Sequence, residues 1–102
     1  FFFFFIDTAL QALKADKSFC PAQSVYGLSL FFLEDYKKAS QSLEKTVTQC
    51  DKEKEEAHYY TALSYFKIGS KDKAEARLQE MIRLYPEGEY TEKAKTMLGI
   101  IK

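Results

Sequence analysis

The sequence predicts an all-α fold, an α-α superhelix of antiparallel helix hairpins with about five to six helices. Three observations predict it. A phrase recurs: Leu28-Ser29-Leu30-Phe31 is answered thirty-five residues later by Leu63-Ser64-Tyr65-Phe66. At the same offset Ala22 answers Ala57, Ala39 answers Ala74, Leu43 answers Leu78 and Val47 answers Ile82. Gly and Pro are scarce while Ala, Leu, Lys, Glu and Gln abound, which is the composition helices prefer. Apolar residues follow helical spacing, and no segment sustains the alternation of a strand.

The elements follow in order. The chain opens Phe1-Phe2-Phe3-Phe4-Phe5-Ile6 without an initiator methionine. One period before Ala39 it has phenylalanine, where a close helix crossing wants a methyl group, so residues 1–5 are set aside as uninformative. Gln11 to Asp16 reads as an amphipathic helix end, and a partial repeat is expected over 6–19. Lys17-Ser18-Phe19 breaks the pattern. Pro21 then suits the first turn of the next helix, where its missing N–H costs nothing. Val25, Leu28, Phe31 and Phe32 continue at helical spacing, and Glu34-Asp35 forms a turn. The following helix carries Ala39, Leu43 and Val47 on one face and Lys38, Gln41, Ser42 and Lys45 on the other.

The charged run Asp51-Lys52-Glu53-Lys54-Glu55-Glu56 reads as a solvated loop and helix start. A third amphipathic segment spans about Glu55 to Ile68, stopped by Gly69 in a left-handed conformation. Ser70 is expected to cap Lys71 to Leu84, whose buried face is Ala74, Leu78, Met81 and Ile82. Tyr85-Pro86-Glu87-Gly88 ends it, and a last helix from about Thr91 carries Ala94, Met97, Leu98 and Ile101. The expected units are repeats 20–54 and 55–88, then a terminal helix within 89–102. Turns of about two to five residues make neighbouring helices antiparallel.

Composition narrows the function classes. The 102 residues are one domain's worth of chain, and the net charge is zero with both signs interspersed. Nucleic acid and anionic membranes call for a clustered basic excess, which is missing. No stretch approaches the ~20 apolar residues of a membrane span. No phosphate loop, nucleophile elbow or Cys-x-x-Cys pair occurs, so catalysis has no sequence support and no cofactor is expected. His58 is the only histidine, without acidic or cysteine partners at ligand spacing, and is read as a helix-packing residue rather than a metal ligand.

Cys20 and Cys50 would lie at the same edge of a hairpin, close enough for a disulfide at ~6 Å between Cα atoms. Two separate thiols, packed as small apolar groups, are the favoured expectation.

These residues resemble the tetratricopeptide repeat family, whose unit of ~34 residues is a pair of antiparallel helices. The best match is 55–88: small Ala62 at the crossing, Tyr65 one turn on, Gly69 at the turn, Ala74 as the second small residue, then Leu78, Met81 and Pro86. Residues 20–54 repeat it with Gly27, Leu30, Ala39, Leu43 and Thr46, departing from the pattern at Glu34 and Asp51. Ala94-x4-Gly99 mirrors Ala22-x4-Gly27 and Ala57-x4-Ala62 as half of a third copy. The physical reason is general: helices approach to ~8 Å only where small residues replace bulky ones. Tyr85-Pro86-Glu87-Gly88-Glu89-Tyr90 is also similar to the link between repeats in bacterial cell-envelope members of the family, which implies an envelope or periplasmic setting.

The resemblance implies that the first helix of each hairpin lines a concave groove. Its side chains would be Ser24, Val25, Leu28, Phe31 and Phe32, then Tyr59, Tyr60, Leu63, Phe66 and Lys67, then Thr96, Met97 and Ile100. The strongest candidates for partner contact are Leu28, Phe31, Phe32, Tyr59, Tyr60, Leu63, Phe66 and Met97, because apolar and above all rigid aromatic side chains make good anchors. Members that grip acidic chaperone tails use Lys, Asn and Arg in this groove. Here Ser24, Leu28, Tyr59 and Leu63 stand there, so that clamp is missing. The expected function is a protein–protein interaction module or scaffold within a larger complex, binding an apolar or amphipathic protein segment. The alternative is a structural or self-associating segment whose apolar faces pack on further repeats or an identical subunit.

Overall fold

The computed structural model describes residues 2–17, 19–50 and 55–101, with side chains from Ile6 onward. The Asp51–Lys54 part of the charged run, including the Asp51 departure, and the expectation for Phe1–Phe5 side chains lie outside the described residues. Among the described residues six helices follow one another: α1 Phe2–Ala15, α2 Cys20–Phe32, α3 Tyr36–Gln49, α4 Glu55–Lys67, α5 Lys71–Leu84 and α6 Thr91–Ile101. Among the described residues there is no strand. Each helix packs on its successor in the chain, and α2 also touches α4 directly. The first helices of the two hairpins therefore adjoin, in a slab measuring 40 × 25 × 21 Å.

Local chemistry explains the boundaries. Pro21 sits in the first turn of α2, where no intrahelical donor is needed. Asp35 caps α3, its carboxylate accepting from the backbone N–H of Lys38 at 3.3 Å. Ser70 occupies the corresponding position before α5, but its side chain accepts no cap hydrogen bond, contrary to expectation. What holds the turn there is backbone: Ser70 N–H donates to Tyr65 C=O at 2.8 Å, and Ala74 N–H to Ser70 C=O at 3.0 Å. The first hairpin uses the same pair of bonds, Asp35 to Leu30 and Ala39 to Asp35.

The two hairpin turns differ in one residue. Gly69 has φ +85, and Glu34, thirty-five residues earlier, has φ +66. A side chain at Gly69 would meet nothing within 4 Å, so conformation alone asks for glycine. Glu34 bears about 1–2 kcal/mol of left-handed strain, of which a glycine's larger unfolded-state entropy would return part. Glu34→Gly should therefore stabilise the chain by about 0.5–1 kcal/mol, a rise in Tm of roughly 4 °C. An unchanged Tm by circular dichroism melting would show that the two turns are not equivalent.

The core repeats with the sequence. Ala39 and Ala74 are fully buried, as are Leu43 and Leu78, while Gly27 and Ala62 are buried at the paired crossings. Two clusters result: Leu30, Ala39 and Leu43 in the first hairpin, and Ala62, Leu78, Met81 and Ala94 around the second. Buried hydroxyls return their protons to their own helices, Thr61 to Ala57 C=O at 2.6 Å and Ser64 to Tyr60 C=O at 2.8 Å. Small polar residues thus sit at tight crossings without an unsatisfied donor. Gly99 does not share this role. It is exposed, with open space where a side chain would stand.

Cys20 and Cys50 form a disulfide with Cα atoms 5.9 Å apart, which corrects the expectation of two separate thiols. The antiparallel geometry of α2 and α3 brings the start of one beside the end of the other, and Cys50 is buried there.

Candidate functional site

Four of the aromatic residues singled out on the first helices, Phe31, Phe32, Tyr59 and Tyr60, meet in one continuous strip, and Phe66 stands outside it. Phe31 contacts Phe32 (5.5 Å between ring centroids), Tyr36 (5.2 Å) and Tyr60 (4.9 Å). Phe32 contacts Tyr60 at 5.4 Å, Tyr60 contacts Tyr59 at 5.6 Å, and Tyr59 reaches Tyr90 at 5.2 Å. Edge-on and tilted packing of this kind suits the ring quadrupoles. The strip runs from α2 across α4 to the α5–α6 link, following the direct α2–α4 contact.

The named residues divide by depth. Leu28, Phe31 and Tyr60 pack against the Leu30/Ala39/Leu43 cluster, and Tyr59 and Met97 against the cluster around Leu78 and Met81. All five remain partly accessible, as do Leu63 and Phe66 on α4. Phe32 is 47% exposed, Val25 39% and Ile100 63%. Ser24 is half-buried and Thr96 exposed, its hydroxyl turned back to Glu92 C=O. Lys67 lies over the Tyr36 ring at 5.8 Å, so its charge is held at the strip's edge. Beside Val25, α1 and α2 enclose an apolar cleft of about 230 Å³ lined by Ala9, Ala12, Phe19, Pro21 and Ala22 among others. At the other end Glu55 and Glu56 share the face of Tyr59 and Tyr60, and with Tyr85, Glu89 and Tyr90 they line a concavity of about 370 Å³.

Sequence reasoning named Tyr90 only as part of the repeat link, yet it closes the strip. The signal was its place six residues after the last residue of α5, where the link folds back. Thr91 fixes that fold: its buried hydroxyl donates to Tyr85 C=O at 2.5 Å and accepts from Gly88 N–H at 2.9 Å. Burial raises the Tyr90 phenol pKa above its ordinary value, helped by Tyr60 and by the negative charge of Glu56, Glu89 and Glu55. Burial, followed by Tyr60, raises Tyr59 as well. These hydroxyls stay protonated at neutral pH.

A polar cluster lies elsewhere, on α3, α4 and α5. The Tyr65 hydroxyl donates to Glu44 Oε1 at 2.5 Å, and Arg77 forks onto the same carboxylate, with Nε 3.1 Å from Oε1. Burial and then the bond to Glu44 raise the Tyr65 pKa strongly. The cluster joins the two hairpins. His58 is buried with its ring 5.7 Å from Tyr85, a packing position. Among the described residues no group of three His, Cys, Asp or Glu side chains could hold a metal ion, and no helix is long and apolar enough to cross a membrane.

Stacked antiparallel helix pairs, with small residues recurring at each crossing, define a helical-repeat protein of the all-α class. Residues 56–88, which are nearly all of α4, all of α5 and the first part of the link after it, match the sequence model of the tetratricopeptide repeat. That segment is similar to a tetratricopeptide repeat, and the six strand-free helices are consistent with an all-α helical repeat of that kind. Comparison of the chain with curated proteins finds no match. Repeats of this family point to protein–protein interaction, as parts of scaffolds with protein partners.

Proposed function

We propose that this chain is a binding module without catalytic activity of its own, and that it receives an apolar or amphipathic segment of a partner protein along the α2–α4 face. The observation that carries the reading is the exposure of large apolar side chains along a rigid aromatic strip: Phe32 is largely exposed against Phe31 and Tyr60, and Val25, two turns earlier on the same face of α2, is exposed beside the α1–α2 cleft. Half-buried rings fixed by their neighbours lose little entropy on binding, which makes them efficient anchors. Leu63, Phe66, Leu28 and Met97 extend the apolar surface on either side. The carboxylates of Glu55, Glu56 and Glu89 at one end favour a segment that carries a basic residue there. The Cys20–Cys50 bridge supports a setting outside the reducing cytosol, such as a bacterial envelope.

A peptide library displayed on phage tests this. Selected sequences should be amphipathic, and the double variant Val25→Ser/Phe32→Ser should bind them at least about tenfold more weakly, since each lost anchor is worth ~1 kcal/mol or more. Both side chains are exposed, so folding should survive. Equal binding by the variant removes the face from consideration. A second reading, self-association, draws on the exposure of Leu84 and Ile100 on the last two helices. Molar mass that rises with concentration in sedimentation equilibrium, and stops rising in Ile100→Ser, would favour it.

A further inference from the structure

We propose that the cleft between α1 and α3, on the side of α2 away from the aromatic strip, is a second binding site that takes a short acidic peptide segment. This site is independent of the reading given above. On α2, Gln23 and Tyr26 line the cleft, about 100° or more around the helix from Val25 and Phe32, so one helix serves two surfaces. The space measures about 430 Å³, the size of an ordinary binding pocket.

Its walls are basic. Lys38 and Lys45 line it from α3, and Lys17 closes it from the α1–α2 link. No carboxylate is among its lining residues. The ion pairs formed among the described residues, Arg77–Glu44, Arg83–Glu80 and Lys95–Glu92, engage none of these three lysines. Glu44, the neighbour of Lys45 in the chain, is committed to Arg77 and Tyr65 on the other hairpin. Three like charges thus face one cavity whose wall offers no countercharge, and an incoming carboxylate relieves their repulsion. The floor is fixed in advance: Gln23 is buried, and its side-chain N–H donates to Lys17 C=O at 2.7 Å, tying the α1–α2 link down. Gln41 and Ser42 set neutral hydrogen-bonding groups between the two α3 lysines.

The spacing selects the ligand. Lys38 and Lys45 are two helical turns apart, about 10 Å along the axis, so the positive charge is drawn out along a line. A single phosphate is better held by an arginine fork or by free N–H groups at a helix N-terminus. No arginine lines the cleft, and the Lys38 N–H in the first turn of α3 is already bonded to Asp35. A long polyanion would run past the three lysines onto a chain of zero net charge carrying fifteen acidic residues. Carboxylates repeated over a few residues of a peptide fit both the length and the charge.

A fluorescently labelled oligoglutamate, titrated into the full chain at low salt and followed by anisotropy, is the probe. We expect saturable binding that weakens as salt is raised. Lys38→Glu/Lys45→Glu should weaken it by about tenfold or more, and Lys17→Glu on the opposite wall should weaken it too, with helicity unchanged in each. Lys71→Glu/Lys73→Glu, the same charge change on the second hairpin, should leave affinity within about twofold. Absence of binding overturns the proposal. So does equal loss in both double variants, or tighter binding of an oligothymidylate or of inorganic phosphate, measured by competition, than of the peptide.

Discussion

Reduction of the Cys20–Cys50 bridge is expected to lower stability by about 3–4 kcal/mol, because it frees a loop of roughly thirty residues in the unfolded chain. Native proteins of this size have about 5–15 kcal/mol in total, so the bridge accounts for a large share. The corresponding loss in Tm is roughly 15–25 °C. The effect lies chiefly in the unfolded ensemble, since the α2–α3 hairpin keeps its buried Ala39 and Leu43 contacts without the sulfur link. Urea unfolding of the oxidised chain, the reduced chain and a Cys20→Ala/Cys50→Ala variant checks this. The midpoints of the last two should fall together, well below the first. Coincident midpoints for all three would mean that the bridge constrains nothing that the helices do not already fix.

The bridge also marks where sequence reasoning stops. Hairpin geometry places the two cysteines at one edge and at about the separation found, but whether they join depends on the redox setting, which the spacing does not carry. The repeated core, in contrast, was legible because burial recurs with the period. Ala39 and Ala74, or Leu43 and Leu78, occupy equivalent crossings and have equivalent chemistry. Gly99 matched the pattern in letters and not in surroundings: small size is informative only where a helix presses on it. Ser70 and Asp35 both suit a cap, and only side-chain geometry separates them.

The aromatic strip was legible in part. The register of the resembled repeat put Phe31, Phe32, Tyr59 and Tyr60 along the first helices of the two hairpins, and they do meet. Periodicity could not divide core from surface among them, because a ring wide enough to span two helices is buried at one edge and wet at the other. Tyr90 and the Glu44–Arg77–Tyr65 cluster depend on how a link folds and how far long side chains reach between hairpins, neither of which leaves a period. Those contacts cross between repeats, where the unit-by-unit pattern carries no information.

Leu43→Ala should be the costliest single truncation in the first hairpin, at about 2–5 kcal/mol, since the side chain is fully buried at the centre of its cluster. Its neighbour Gly27 sharpens the test. A side chain at Gly27 would put its first carbon 2.6 Å from Leu43 Cδ2 and 2.7 Å from Cγ, well inside contact distance. Gly27→Ala should therefore cost about 1–3 kcal/mol through overpacking, although alanine is the better helix former by about 1 kcal/mol. Combined with Leu43→Ala, the new methyl falls into space the leucine has vacated. The double variant should be more stable than the sum of the single losses by at least about 1 kcal/mol. The second hairpin already carries alanine at the equivalent crossing, Ala62 beside Leu78, so its two helices tolerate that methyl. Additive losses in the double variant would mean that α2 and α3 can separate to admit it as well, and that Gly27 is not what sets their distance.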